Sequence, residues 1–195
     1  PLKYKYKYVD KIPGAPEKSY FQLGKVIHKV LEIFHKSNLS SYDELMKLLD
    51  NNWQADVYQY AQEKDQYRND AISMLTNYWR YIQAKPVNKF IVEHWFSFET
   101  EYAYLSGKCD RIDIDNDEKV SIVDYKTSKI TKTKNDLKKD IQMGIYALFL
   151  LLNGIKFNEK IINKKIPKKL TMLFLRDNNP EVSVELTTED LKNIR

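Results

Sequence analysis

The sequence has a single cysteine, Cys109, among 195 residues. One thiol excludes an intramolecular disulfide and any metal or iron–sulfur site built from cysteines alone. The long apolar run at Tyr146 to Leu152 (YALFLLL) is far too short to cross a bilayer. No signal-peptide pattern stands at the start, and no repeat or low-complexity linker interrupts the chain. These absences lead us to expect a reducing, cytoplasmic setting and no membrane partner. An excess of one charge is also nearly missing. Lys and Arg number 32 against 27 Asp and Glu, a formal net charge of +5. Such a bias is compatible with a polyanionic partner and does not identify one.

What is present is an ordinary globular composition, 43% hydrophobic and 30% charged, in a length that suits one domain with a core. The chain starts at Pro1 and ends within a helical-looking run, TTEDLKNIR. We therefore read residues 1–195 as a single domain cut from a longer protein. Lysines gather at Lys3 to Lys7, Lys126 to Lys139 and Lys164 to Lys169. Ser19 with Gln22 predicts a capping box opening a helix to about Lys36, striped by Leu23, Ile27, Val30, Leu31 and Phe34. Residues 41–84 read as two or more helices ended by Pro86. Strands are predicted at Phe90–Thr100, at Tyr102–Ile114 with a break near Gly107, and at Val120–Lys126. A helix capped by Asp136 should run to Leu152 or Asn153, stopped by Gly154. Strands at Leu170–Arg176 and Val182–Leu186 follow. The order implies an α/β fold, a mixed sheet covered by helices.

The stretch GKCDRIDIDNDEKVSIVDYKTSK (107–129) carries the chemistry. A hairpin symmetric about Asp117 pairs positions that sum to 234, which sets Asp110 opposite Asp124. Alternation then puts Asp110, Ile112, Ile114, Val120, Ile122, Asp124 and Lys126 on one face, and Cys109, Arg111, Asp113, Ser121, Val123 and Tyr125 on the other. Two opposed carboxylates repel unless a cation joins them. Hard divalent ions favour such oxygens, and Lys126 would flank the ion. The same pattern also fits an exposed hairpin with solvated carboxylates, and a one-residue slip would part the two aspartates.

Four ordered motifs resemble the RecB-like branch of the PD-(D/E)xK nuclease superfamily. They are L-G-x-x-x-H-x-x-L-E (Leu23 to Glu32), G-x-x-D-R-I-D (Gly107 to Asp113), I-V-D-Y-K-T (Ile122 to Thr127) and Q-x-x-x-Y (Gln142, Tyr146). The opening PLKYKYKYVDKIP is similar to that family's first segment, without the cysteine that usually precedes it. The resemblance implies a restriction-endonuclease-like mixed sheet flanked by helices, with a helical insertion at about 37–88. It implies Asp110, Asp124 and Lys126 as the catalytic core, Gln142 and Tyr146 beside it, and His28, Asp110, Asp124 and the Tyr125 carbonyl as ligands of Mg²⁺ or Mn²⁺. Downstream cysteines being absent, no iron–sulfur cluster is expected.

The implied activity is metal-dependent hydrolysis of DNA, single- or double-stranded, by an exonuclease of recombination and repair working with a helicase domain or subunit. The competing reading is a catalytically silent DNA-binding or scaffold module. Outside the motifs, His35 reads as a surface group, His94 has no role, and Arg111–Asp113 reads as a structural pair. Glu93 resembles an acidic position of that family in the strand before the catalytic hairpin, which implies a place near the metal; the alternative, and the one favoured here, is a surface carboxylate.

Overall fold

The computed structural model describes residues 18–190 apart from 59, 163 and 188, together with residues 5, 9 and 10. Most of the opening segment, the Pro13–Pro16 turn and the end of the C-terminal helical run lie outside the described residues.

Helix α1, Ser19–Lys36, buries Leu23, Val26, Ile27, Val30, Leu31 and Phe34 along one stripe. The predicted Ser19 capping box does not form. Lys18 is the N-cap and no side chain caps it; six buried apolar residues, at about 1.5–3 kcal/mol each, hold the helix without a cap. Helix α2, Tyr42–Asn52, does have a capping box, between Ser41 and Glu44. Helix α3, Ala61–Ala84, buries Ala71, Met74, Leu75, Asn77 and Tyr78.

Three strands then form an antiparallel unit: β1 (Phe90–Glu99), β2 (Tyr104–Ile114) and β3 (Val120–Lys126). The predicted break at Gly107 is absent; β2 passes through it. The single predicted helix after β3 is two. Thr133 caps α4 (Lys134–Lys138), and Asp140 caps α5 (Ile141–Asn153). Two polar caps in close succession stop and restart the backbone. Strands β4 (Ile155–Phe157) and β5 (Lys160–Ile162) make a small hairpin not anticipated from sequence. Its turn residues, Asn158 and Glu159, both have positive φ, the backbone of a tight hairpin turn. Strands β6 (Lys169–Phe174) and β7 (Glu181–Val184) complete the main sheet.

The main sheet has order β1-β2-β3-β6-β7. β3 and β6 pair in parallel, and the other neighbours are antiparallel. This is the mixed sheet with flanking helices expected from the sequence. Helices α1–α3 cover one face with a core that includes Val123, Tyr125, Leu173 and Leu175. Helix α5 covers the other, over Phe96, Phe98, Cys109, Ile112, Ile122 and Met172. Coverage on both faces explains why β6 is apolar almost throughout. Among the described residues, no helix is long and apolar enough to cross a membrane.

The register of β2 on β3 is the predicted one: Arg111↔Val123, Ile112↔Ile122, Asp113↔Ser121 and Ile114↔Val120. All sum to 234. The pairing stops there, one step short of Asp110 and Asp124. On its other side β2 pairs β1 from Phe90↔Asp113 to Glu99↔Tyr104, but the pair Glu93/Asp110 is skipped. Glu93 has φ +54, a left-handed backbone that costs a non-glycine residue roughly 1–3 kcal/mol. Across this defect the alternation of faces reverses on both strands. Ile91 and Ile112 lie on the α5 side before it, and Phe96, Phe98 and Cys109 after it. Strict alternation therefore misplaces Cys109, which shares the face of Ile112 and not that of Arg111.

Candidate active site

Asp110 sits at the defect, where backbone pairing lapses on both sides of β2. Its carboxylate takes over as acceptor. Oδ2 receives the Tyr125 N–H at 2.7 Å, and Oδ1 lies 3.2 Å from His28 Nδ1. The amide and carbonyl of one strand residue point the same way, so the Tyr125 carbonyl also faces the gap that β2 leaves.

His28 comes from the middle of α1. That helix approaches closely because Gly24, one turn earlier, has no side chain; a Cβ there would stand 3.2 Å from Thr127 Oγ1 at the end of β3. Glu93 joins this group. Its side chain is only 7% exposed and pairs with Lys108, so the expectation of a surface carboxylate was wrong. The left-handed backbone turns Glu93 out of strand alternation and toward His28 and Asp110. Ligand atoms of His28, Glu93 and Asp110 all lie within 4.8 Å of one another. Opposite ligands of one Mg²⁺ stand about 4.2 Å apart, so a small contraction closes the group on an ion.

Asp124 lies outside that trio. It is buried, 2% exposed, and its Oδ2 is 2.6 Å from Lys126 Nζ without accepting a well-aligned hydrogen bond. Lys126 Nζ also donates to Gln142 Oε1 at 3.0 Å. Gln142 Nε2 donates to Tyr146 Oη at 2.7 Å, and Tyr146 donates to the Lys108 carbonyl at 2.9 Å. Gln142 and Tyr146 share one edge of α5, four residues apart, so a single line of donors runs from Lys126 back to β2.

The electrostatics follow from burying acids together. Burial, then the Asp110 charge, pushes the Asp124 carboxyl up to about 6 against the pull of Lys126. Burial pulls the His28 imidazole down, yet the Asp110 hydrogen bond and the charges of Asp110, Asp124 and Glu93 outweigh it and raise its pKa. The Lys108 ammonium is raised, chiefly by its Glu93 partner. Burial pushes the Cys109 thiol far above its usual range, which makes it an inert core group. The donor set fits a divalent ion. It offers two clustered carboxylates, one imidazole, a free-facing carbonyl and a buried carboxylate oxygen short of partners.

The Tyr125 ring turns to the opposite side. Its hydroxyl lies 3.2 Å from that of Tyr78, and Arg111 donates to Tyr78 at 2.8 Å. Arg111 Nε is 2.7 Å from Asp113, the structural pair expected. His35, expected at the surface, instead bonds Tyr78; burial, then Arg111, lowers its pKa to about 3. His94 packs on the Phe149 ring, centroids 5.7 Å apart.

Sequence reasoning missed two contributors, Glu93 and Lys108. Lys108 had a signal, its place inside G-x-x-D. Glu93 had one too, its likeness to an acidic position in the strand before the catalytic hairpin, but nothing in FIVEHWF announces the left-handed backbone that turns it inward. Comparison with known proteins agrees with the geometry. No curated protein matches the chain. Residues 1–194 match the family described as the PD-(D/E)XK nuclease superfamily. A nearly full-length match, together with a mixed sheet that brings Asp110 of β2 to the Asp124–Lys126 end of β3, means that this chain belongs to the PD-(D/E)XK nuclease superfamily.

Proposed function

We propose that this protein is a Mg²⁺- or Mn²⁺-dependent deoxyribonuclease that hydrolyses phosphodiester bonds in DNA. The observation that carries the reading is the defect at Glu93/Asp110. It leaves Asp110 out of the ladders on both sides of β2 and turns Glu93 inward, beside a buried Asp124–Lys126 pair. His28, Asp110, Asp124 and the Tyr125 carbonyl would hold the ion, with Glu93 as a further carboxylate ligand. When bound, a divalent ion supplies Lewis acidity toward the phosphate and a water of lowered pKa.

The chain's own groups do the rest. Lys126 stands at the mouth of the carboxylate pocket, where its ammonium orients a water or offsets charge developing on a phosphate oxygen. Gln142 and Tyr146 do not touch the acids. They fix Lys126 through a directional line of hydrogen bonds, and are positioning residues. Helix α1 and the buried Arg111–Tyr78–Tyr125 network keep water from the back of the site. The wider reading is a RecB-like exonuclease of DNA recombination and repair, cytoplasmic and working with a helicase; the motif resemblance supports it.

The test is cleavage of labelled single- and double-stranded DNA with Mg²⁺, Mn²⁺ or EDTA, by wild type and Asp124→Ala. Cleavage that needs metal and Asp124 is the expected result. DNA binding with no cleavage at any metal concentration would support the silent scaffold instead. Cleavage untouched by Asp124→Ala would remove the assignment of the site.

A further inference from the structure

The β1–β2 hairpin continues beyond the carboxylate cluster as a two-stranded ribbon with unlike faces. One face carries Phe96 and Phe98 into the core under α5. Gly107 lies flat beneath the Phe96 ring; a Cβ there would stand 2.8 Å from the ring. The other face is uncovered. Register puts Trp95 opposite Lys108, Ser97 opposite Ser106 and Glu99 opposite Tyr104. Trp95 is 72% exposed and Tyr104 69%. Both rings are thus presented to solvent on one face of the ribbon, flanked by Lys108.

We infer that this Trp95–Tyr104 face is a stacking platform for the unpaired bases of single-stranded DNA. Three features favour that occupant over an apolar protein surface. The aromatic rings are separate, with Ser97 and Ser106 between them, and do not merge into one greasy patch. Trp95 and Tyr104 lie four strand positions apart, about 13 Å along the ribbon, which suits two bases with one nucleotide between them. The ribbon is also continuous with the site. Lys108 Nζ lies 5.8 Å from the Trp95 ring centroid and pairs with Glu93 of the His28–Glu93–Asp110 group. A strand stacked on Trp95 thus has its phosphates led toward the acids by an ammonium. Glu99, directly opposite Tyr104, and Glu101 repel phosphate at the far end, so Trp95 beside Lys108 is the principal ring of the platform and Tyr104 the lesser one. Every base has a π-face, so such a surface selects unpaired strands without reading sequence. The inference rests on the nuclease reading for where the strand leads, and on the hairpin alone for how it is held.

Binding is measured by anisotropy in EDTA, with labelled oligothymidylate and with a duplex of equal length. Trp95→Ala should weaken single-strand binding about 5- to 150-fold, the range for losing one stacked base, with duplex binding changed less than about twofold. Trp95→Phe should recover most of the loss, and Trp95→Leu, which keeps apolar bulk without a π-face, should not; a role in folding alone predicts recovery in both. Trp95 is the exposed one of three tryptophans, so oligothymidylate should quench wild-type fluorescence and leave Trp95→Phe little changed. Equal single-strand affinity in Trp95→Ala and wild type would overturn the platform, as would equal losses on both substrates. A change in the sedimentation of the protein alone on Trp95→Ala would mark a self-association face and overturn it too. Hydrolysis is scored separately with Mn²⁺. Oligothymidylate held through Trp95 but never cleaved sinks the nuclease reading and spares the platform; cleavage with normal Trp95→Ala binding does the reverse.

Discussion

The candidate site has two halves that solve the same problem differently. In both, carboxylates are buried close together and a neighbouring base offsets their charge. The half built from α1, β1 and β2 sets an imidazole, His28, against Asp110 and the Lys108 ammonium against Glu93. The half built from β3 and α5 uses a direct ion pair, Asp124 with Lys126, tied in turn to Gln142 and Tyr146. An imidazole is itself a metal ligand, and an ammonium is not. The first half is therefore organised to accept an ion, and the second to keep a charge in place beside it. If that division is right, substitutions in the two halves separate metal affinity from turnover.

Lys126→Ala should have the largest effect. Cleavage should fall about 10²- to 10⁴-fold, the usual worth of a positioned proton-transfer or charge-stabilising group. Mn²⁺ affinity by calorimetry should stay within a few-fold of wild type, or tighten, because Asp124 Oδ2 is released. An equal collapse of affinity and turnover would mean that the halves are one unit.

Asp124 makes the second half sensitive to pH. Its carboxyl titrates near 6 in the folded protein against about 3.9 when unfolded. The folded state thus binds the proton more tightly. Between these values the folded protein holds more protons than the unfolded, so stability falls as pH rises from about 4 to about 6. The ceiling is about 3 kcal/mol. Urea midpoints of the metal-free protein in EDTA should drop across that window, and Asp124→Asn should flatten the slope. A wild-type midpoint independent of pH there would contradict a carboxyl raised by burial first and by the Asp110 charge second.

His28→Ala tests the first half. Mn²⁺ affinity should weaken about 10- to 100-fold, and excess Mn²⁺ should restore most of the turnover. Loss of turnover at saturating Mn²⁺ would assign His28 to chemistry and erase the division.

The two halves also differed in legibility. The second half lies on regular structure. β3 and α5 follow their periods of two and 3.6, so Asp124, Lys126, Gln142 and Tyr146 could be placed by counting. The β2–β3 register was correct for the same reason, since Ile112, Ile114, Val120 and Ile122 must all reach one core. The first half is built on an exception. Glu93 adopts a backbone that its residue type disfavours, and tertiary packing enforces it. Counting could not reveal that reversal, so Glu93 was assigned to the surface and Cys109 to the wrong face. His35 failed for a related reason: its burial depends on Tyr78, 43 residues away in sequence. The capping residues Thr133 and Asp140 were ordinary signals that were outweighed by the long apolar run of α5.

Tyr146→Phe should have the smallest effect and sharpens the comparison most. The ring stays, so the core under α5 is kept. What goes is one acceptor for Gln142 and one donor to the Lys108 carbonyl. Stability should fall by about 1–2 kcal/mol, the cost of partners left short of a bond. Turnover should drop several-fold with KM unchanged, because Gln142 holds Lys126 less firmly. The decisive measurement is the double variant with Lys126→Ala. If Tyr146 acts through Lys126, the double variant should be no slower than Lys126→Ala alone, since the second loss has nothing left to act on. Additive losses would mean that Tyr146 touches substrate itself, and the line from Lys126 to Lys108 would then be packing and not positioning.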